Sequence, residues 1–189
     1  MSQKPHARSR RKVVSNAVKT AMSVGRSKSQ WVLPAIVAAC IGSVGVALLS
    51  QYFFDMQPCP WCVLQRAIFL TIALVCAWAL IWRNTVGRMS LCSLAFLLAL
   101  SGIASALWQH FKAAVSISCN FTLADKIITA SRLDRLLPGV FAPRSGCADA
   151  KVNLLGIPYE FWSLALFFLI AGALAWIIAA LNRTWLGER

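Results

Sequence analysis

Two cysteines in the sequence C-P-W-C, Cys59 and Cys62, stand at the beginning of a long apolar run. Cysteines at this spacing suit thiol–disulfide exchange, because the motif favours the reactive thiolate. Cys62 falls at or just before the first turn of the predicted helix, where unsatisfied backbone N–H groups and the helix dipole stabilise negative charge. Pro58 and Pro60 fit an extended entry to that helix, since proline is excluded from helix interiors. The segment therefore predicts redox chemistry at a helix N-terminus.

Arg66 follows Cys62 by four positions, so the two residues share one face of the predicted helix. Inserting a charged side chain into the membrane costs about 2.5–3.5 kcal/mol at the centre of a helix and less near its end. A charged residue inside a span is therefore a candidate functional residue. One interpretation is that the guanidinium holds an anion or a carbonyl oxygen at the site of Cys62. The other is that it only extends to the lipid head groups.

The chain has seven cysteines, of which three lie within apolar runs, where a free cysteine packs as a small hydrophobic residue. Those three are Cys40, Cys76 and Cys92, and the other four are Cys59, Cys62, Cys119 and Cys147. Four cysteines allow three pairings, and proximity in the sequence favours 59 with 62 and 119 with 147.

Structural roles are the alternative for these four cysteines. Zinc sites with four thiolates usually draw them from two short-spaced pairs. Cys119 and Cys147 are 28 positions apart, so no metal is expected. Inert bridges that brace the loops stay open as an interpretation, although a Cys-x-x-Cys bridge closes too small a loop to constrain the unfolded chain much.

The elements that must position these residues are membrane helices. Of the 189 residues, 59% are hydrophobic and 13% are charged, whereas soluble domains are about 45–50% apolar. Four segments reach the roughly 20 residues that cross a hydrocarbon core, and they cover about 31–51, 63–82, 89–109 and 157–181. The sequence therefore predicts an all-α integral membrane protein, with a four-helix transmembrane bundle within residues 31–189.

The positive charges indicate the orientation. Eight of the nineteen Lys and Arg residues lie in 1–30, two in the connection 83–88, two in the tail 182–189, and none in the first loop, 52–62. The second loop, 110–156, has six, but its length reduces their weight. We expect both termini in the cytoplasm and both loops in the periplasm, where disulfides persist. The net charge of +13 is thus interpreted as a topology signal and not as a nucleic-acid site.

The basic segment 1–30 is expected to be a disordered cytoplasmic tail close to anionic lipid head groups. Its sequence SRRKVV faintly resembles a twin-arginine export signal. The apolar run that follows has the full length of a span and no convincing cleavage site, so we favour a tail.

The second loop contains the segment FTLADKIITASRLDRLLPGVF, in which apolar residues recur at helical spacing between charges. A short amphipathic helix on the membrane surface fits this pattern, and an ordinary helix packed on the loop fits it as well. The apolar positions are Leu123, Ile127, Ile128, Leu133, Leu136 and Leu137.

Three features occur together in this sequence: four spans, CPWCVLQR at the start of the second span, and a second cysteine pair in SCNFTL and SGCADAKVNLLGIPYEFW. In this combination the chain resembles the DsbB family of bacterial inner-membrane proteins. The resemblance covers nearly the whole chain beyond the basic tail. The vitamin K epoxide reductase family also combines four helices with two cysteine pairs. Its loop pair precedes its Cys-x-x-Cys, which is the reverse of the order here.

The resemblance implies a thiol:quinone oxidoreductase that takes electrons from a periplasmic DsbA-type thiol oxidoreductase and passes them to ubiquinone or menaquinone in the lipid bilayer. Cys119 would receive the partner's thiolate, with Cys147 as its loop partner. Cys59 and Cys62 would reoxidise that pair, with Cys62 facing the quinone ring. Arg66 matches the family arginine that assists the quinone.

Three further residues bear on the quinone site. His110, in LWQHF at the outer end of the third span, falls where the family commonly has a histidine near the quinone, although a polar span terminus also explains it. Val152 stands where many relatives have a tryptophan. Trp162 matches a family tryptophan before the last span, with a different spacing from its proline. Glu160 needs no functional account, because a carboxylate is favoured in the first turn of a helix.

Two rival functions stay open. One is a paralogue dedicated to a specialised thiol oxidase. The other is a membrane adaptor without enzymatic activity, whose disulfides only brace its loops. A reduction potential separates the adaptor from a relay, because structural bridges lie below about −300 mV and exchangeable bridges are more oxidising.

Overall fold

A computed structural model describes residues 31–82, 84–113, 123–144, 153–154 and 157–187. The first three long helices are α1 (Trp31–Phe53), α2 (Pro60–Ile81) and α3 (Thr85–Trp108), and α3 continues into a π-helical turn, Gln109–Ala113. The connection that follows contains α4 (Leu123–Ala130), α5 (Leu133–Leu136), α6 (Pro138–Phe141), β1 (Asn153–Leu154) and β2 (Ile157–Pro158). The last helix is α7 (Tyr159–Gly187).

Four of these helices, α1, α2, α3 and α7, contain stretches long and apolar enough to cross a membrane. The predicted fold class, an all-α membrane bundle of four spans with a short amphipathic helix in the long loop, is confirmed. The short antiparallel pairing of β1 with β2, directly before α7, was not predicted.

Two of the helices begin earlier than the apolar pattern indicated, because capping residues start them. The second helix begins at Pro60 and not at residue 63, since Cys59 is its N-cap and proline is well tolerated at the first helical position. The third begins at Thr85 and not at residue 89, since the side chain of Asn84 accepts a hydrogen bond from the backbone N–H of Val86 at 3.1 Å.

Four helix ends meet at one end of the bundle, which we call the mouth. Short connections make α1, α2 and α3 successively antiparallel, so the mouth contains the C-terminal ends of α1 and α3 and the N-terminal ends of α2 and α7. Side-chain hydrogen bonds join these ends. Gln51 of α1 accepts from Arg66 of α2 at 2.9 Å, and Ser163 of α7 donates to Gln65 of α2 at 2.6 Å.

The core below the mouth is apolar and is formed by all four long helices. At its centre the rings of Phe69 in α2 and Phe167 in α7 stack, with centroids 4.0 Å apart and planes 1° from parallel. Gly102 of α3 allows this arrangement. A Cβ at position 102 would lie only 2.4–2.5 Å from three ring atoms of Phe167.

We expect Gly102→Ala to lower the midpoint of thermal unfolding in detergent, because overpacking a filled core costs about 1–3 kcal/mol. Gly172→Ala in α7 is the matched control. Nothing lies within 4 Å of a Cβ at position 172, and alanine favours the helix. Equal midpoints for the two variants would contradict the close approach of Phe167 to α3.

Candidate functional site

Cys59 and Cys62 start α2, and the backbone of the helix explains their arrangement. Cys59 is the N-cap, and its sulfur accepts a hydrogen bond from the backbone N–H of Cys62 at 3.3 Å. It thus takes the place that Ser or Asp occupies at other helix starts. The two sulfur atoms lie 2.9 Å apart as free thiols. A small side-chain movement brings them to the roughly 2.05 Å of a disulfide.

The loop helices cover this helix start. Cys59 is fully buried, whereas Cys62 is partly exposed. The cover comes from α4 and α6, which pack on the first turns of α2. The cluster consists of Cys59, Trp61, Val63 and Leu64 of α2, Ala124 and Ile128 of α4, and Phe141 of α6. Of the two residues, Cys62 is therefore the more exposed.

Helix α4 presents only part of its apolar surface to the protein. Ala124 and Ile128, one turn apart, are buried against α2, while Leu123 and Ile127 are largely exposed. The described contacts thus show a helix that packs on α2 of the bundle, which neither interpretation of this segment stated. That its exposed side lies on a membrane surface stays a prediction.

Arg66 is buried, and its guanidinium bonds to protein oxygens from two other elements. Nη1 donates to Gln51 Oε1 at 2.9 Å and to the backbone oxygen of Val140 at 3.2 Å. Nη2 donates to the backbone oxygen of Ala47 at 3.4 Å. With only 7% of the residue exposed, Arg66 does not reach out of the bundle as the head-group interpretation requires. It connects α1 and α6 to the first turns of α2.

Two more hydrogen bonds hold the loop on the mouth. Gln51 Nε2 donates to the backbone oxygen of Gly139 at 3.4 Å, and the backbone N–H of Arg144 donates to the oxygen of Pro58 at 3.0 Å. The second bond places the chain after α6 directly beside the residue that precedes Cys59. The loop therefore returns to the start of α2 at Arg144.

A buried amide contacts the sulfur of Cys62, and a second buried amide contacts the first. Gln109 Nε2 donates to Cys62 Sγ at 3.4 Å, and Gln109 Oε1 accepts from Gln65 Nε2 at 2.8 Å. Both glutamines are less than one-tenth exposed. Gln109 begins the π-helical turn after α3, a kind of turn that is frequent at functional sites.

His110 follows Gln109 and lies against α7. Its Nδ1 is 3.1 Å from Glu160 Oε1, in the first turn of α7. Its ring makes edge contacts with Phe111 and Phe161, at centroid distances of 5.1 and 4.8 Å. The favourable interaction of a carboxylate with a helix N-terminus is thus only part of the explanation for a glutamate at position 160. The carboxylate of Glu160 also orients the imidazole of His110.

A family model described as "Disulfide bond formation protein DsbB" matches residues 29–177. The chain belongs to the DsbB family. The cysteine pair at the mouth lies within the matched residues.

Individual members of the DsbB family match over most of their length. "Disulfide bond formation protein B" of Herminiimonas arsenicoxydans is 31% identical over 144 residues, which cover 76% of this chain and 90% of that protein. "Disulfide bond formation protein B 2" of Burkholderia lata is 33% identical over 159 residues, 83% and 94% of the two chains. "Disulfide bond formation protein B 1" of Pseudomonas syringae pv. syringae is 34% identical over 152 residues, 77% and 86%. No solved structure matches significantly.

The site residues expected from the sequence of this DsbB-family chain fall into three groups. Cys59 and Cys62 are in contact, with Arg66 one turn further into the same helix. His110 lies at the same mouth, next to the glutamine that contacts Cys62. The remaining positions, Cys119, Cys147 and Val152, lie outside the described residues.

Sequence reasoning missed the polar residues that join the helices of this DsbB-family bundle. They are Gln51, Gln65, Gln109 and Ser163. The signal was available in part, since buried polar side chains in membrane spans need partners and often mark a site. Their partners lie on other helices, 15 to 98 positions away, so spacing along the chain does not reveal them.

The packing of α4 predicts how Cys59 is shielded. In a reduced background with Cys62, Cys119 and Cys147 replaced by alanine, we expect Ile128→Ala to raise the rate of Cys59 alkylation by roughly tenfold or more. Removing a buried isoleucine side chain weakens packing by about 2–5 kcal/mol, which favours local opening. Maleimide labelling followed by mass spectrometry measures the rate.

Ile127→Ala is the matched control, since Ile127 is the neighbouring residue and is 43% exposed. It is expected to leave the rate close to that of the background. If Ile128→Ala also left it unchanged, α4 would not be the element that shields Cys59.

Proposed function

We propose that this protein is a thiol:quinone oxidoreductase that forms disulfides using a membrane quinone and reoxidises a periplasmic thiol oxidoreductase of the DsbA type. The observation that carries the proposal is the position of the Cys59–Cys62 pair, at the N-terminus of a membrane helix and within the polar mouth of the bundle. Membership of the DsbB family supports it. The proposal includes a periplasmic location for the mouth and cytoplasmic termini.

The proposed chemistry consists of successive thiol–disulfide exchanges. The partner's thiolate attacks the Cys119–Cys147 disulfide at Cys119, and the electron pair of the broken bond leaves on Cys147. The partner's second thiolate attacks the mixed disulfide, so the partner leaves with a disulfide and Cys119 becomes a thiolate. The loop thiolates then reduce the Cys59–Cys62 disulfide in two exchanges: the first bonds a loop sulfur to Cys59 and frees the Cys62 thiolate, and the second closes the 119–147 bridge again and frees Cys59. Two electrons and two protons leave the partner for each disulfide it gains, and the quinone accepts them.

The reach of the chain supports exchange between the two pairs. Cys147 is three positions after Arg144, whose backbone bonds to Pro58 beside Cys59. Three residues span at most about 11 Å even when fully extended. The bond from Arg144 to Pro58 therefore supports exchange between Cys147 and Cys59, since the intervening chain is short.

The residues around Cys62 fit a quinone, which needs an apolar surface for a flat ring and polar groups for its two oxygens. Exposed aromatic side chains surround the mouth next to His110: Trp108, Phe111, Phe161 and Trp162. With Nδ1 of His110 donating to Glu160, Nε2 is the ring nitrogen left for the quinone. It would donate to a quinone oxygen from the protonated ring, and accept from a quinol hydroxyl in the neutral ring. Cys62, partly exposed, would face the ring.

Arg66 would act in this site through its charge. Gln51, Val140 and Ala47 hold the guanidinium in one place, one turn below Cys62. A fixed cation in an apolar interior stabilises negative charge that develops nearby during a reaction. In the proposed function that charge develops on the Cys62 sulfur and on the quinone oxygens.

Cys62→Ala is expected to abolish quinone-dependent oxidation of a reduced DsbA-type protein, because it removes one sulfur of the pair at the quinone. Cys76→Ala is the matched control, in the same helix but in the apolar core, and turnover is expected to stay near the wild-type rate. A short-chain ubiquinone and a naphthoquinone are used in parallel, and loss of quinone absorbance gives the rate. Wild-type turnover in Cys62→Ala, or in Cys119→Ala, would contradict the proposed sequence of exchanges.

Glu160→Gln tests the role given to His110. A carboxylate fixes the tautomer and orientation of the histidine it pairs with, so we expect several-fold lower kcat with a smaller change in KM for quinone. In a His110→Gln background the same substitution is expected to have no further effect. An additive loss in the double variant would mean that Glu160 acts independently of His110.

A further inference from the structure

A directed row of hydrogen bonds leads from α7 to the sulfur of Cys62. The hydroxyl of Ser163 donates to Gln65 Oε1 at 2.6 Å, and Gln65 Nε2 donates to Gln109 Oε1 at 2.8 Å. Gln109 Nε2 then donates to Cys62 Sγ at 3.4 Å. The row joins α7, α2 and the π-helical turn after α3, and it ends on a reacting atom.

The polarity of this row is uniform. Each amide accepts on the side of Ser163 and donates on the side of Cys62. Hydrogen bonds arranged head to tail polarise one another and strengthen the last donor. Turning one amide around would break the bonds on both of its sides unless the other turned as well. The sulfur of Cys62 is thus met by an N–H group, which suits a thiolate.

The other end of the row is anchored on the backbone. The Ser163 hydroxyl also lies 2.9 Å from the carbonyl oxygen of Glu160, so two acceptors share its single proton. Because Gln65 and Gln109 are 5% and 8% exposed, water does not compete freely for their hydrogen bonds. In such an interior a fixed donor has a larger effect than at a surface.

We propose that Gln109, supported by Gln65 and Ser163, is a catalytic residue that stabilises the thiolate of Cys62 and thereby makes this sulfur the leaving group when the Cys59–Cys62 disulfide opens. The proposal rests on the exchange role proposed above for this pair. In that step an incoming thiolate sulfur bonds to Cys59, the Cys59–Cys62 bond breaks, and its electron pair stays on Cys62. No proton is transferred.

The direction of opening depends on which of the two thiolates is better stabilised. In disulfide exchange the sulfur whose thiolate is less basic leaves faster. The sulfur of Cys59 accepts the backbone N–H of Cys62, and the sulfur of Cys62 accepts the side-chain N–H of Gln109. The amide row gives Cys62 a donor in addition to its place in the first turn of α2. With this donor, the electron pair of the opened bond goes to the sulfur of Cys62.

A structural role is the competing explanation, because buried amides must satisfy each other in an apolar interior. If that were the whole role, loss of Gln109 would change the stability of the protein but not the ionisation of Cys62. Alkylation of Cys62 at two pH values separates the two explanations. Near neutral pH the rate follows the thiolate fraction, and at high pH it follows only access to the sulfur.

The experiment uses the full-length chain in detergent, reduced, with Cys59, Cys119 and Cys147 replaced by alanine. The other cysteines are fully buried. We expect Gln109→Met to slow iodoacetamide alkylation of Cys62 by roughly tenfold at about pH 7, and by less than about twofold at about pH 10. Methionine keeps the length of glutamine and removes its N–H donor.

Ser105→Ala is the matched control. Ser105 is buried one turn before Gln109 and bonds within its own helix, to the oxygen of Gly102 at 2.8 Å. Its loss is expected to leave both rates unchanged. An unchanged rate at pH 7 in Gln109→Met, or equal slowing at both pH values, would overturn the proposal.

Ser163→Ala decides the matter if Gln109→Met does not purify as a single species, since it removes one oxygen from the far end of the row. We expect about twofold slower alkylation at about pH 7. An unchanged rate would contradict the proposal that the row of hydrogen bonds stabilises the Cys62 thiolate. Neither measurement uses quinone or a partner protein. Failure of quinone-dependent turnover would therefore be distinguishable from failure of this inference.

Discussion

The backbone N–H groups at the start of α2 need partners inside an apolar bundle, and the site follows from the way they are satisfied. Cys59 serves as the cap through its sulfur, and this places Cys62 in the first turn, beside it. Pro60 needs no partner at all at the first helical position. The redox motif and the helix start are thus one structural unit. Helices α4 and α6 then pack on it and bury Cys59.

Arg66 extends this unit to the rest of the mouth. A buried guanidinium has five N–H donors to satisfy, and the acceptors described for it come from α1 and from the end of α6. The same Gln51 that accepts from Arg66 donates to Gly139. Removal of Arg66 would therefore loosen the loop as well as remove a charge, so its variants combine both effects.

The parts of this structure that depend on local sequence were predictable, and those that depend on contacts between helices were not. Span length, charge distribution and the C-P-W-C motif indicated four helices and placed Cys62 near a helix start. Caps at Cys59 and Asn84 shifted two helix starts, because hydropathy does not register capping. The bond from Gln109 to Cys62 joins residues 47 positions apart, and the Glu160–His110 pair spans 50. Whether two such residues meet depends on the rotation of each helix about its own axis.

The stacked rings of Phe69 and Phe167 lie four positions after Gln65 and Ser163, one helical turn further into the bundle than the two polar residues that contact each other. With Gly102 letting α3 close against them, the rings form an apolar plug beneath the polar mouth. A row of polar groups that continued through the bundle would conduct protons and dissipate the ion gradient of the cell. In the proposed function, the plug would keep the exchange of electrons and protons on one side of the membrane while the bilayer stays electrically insulated.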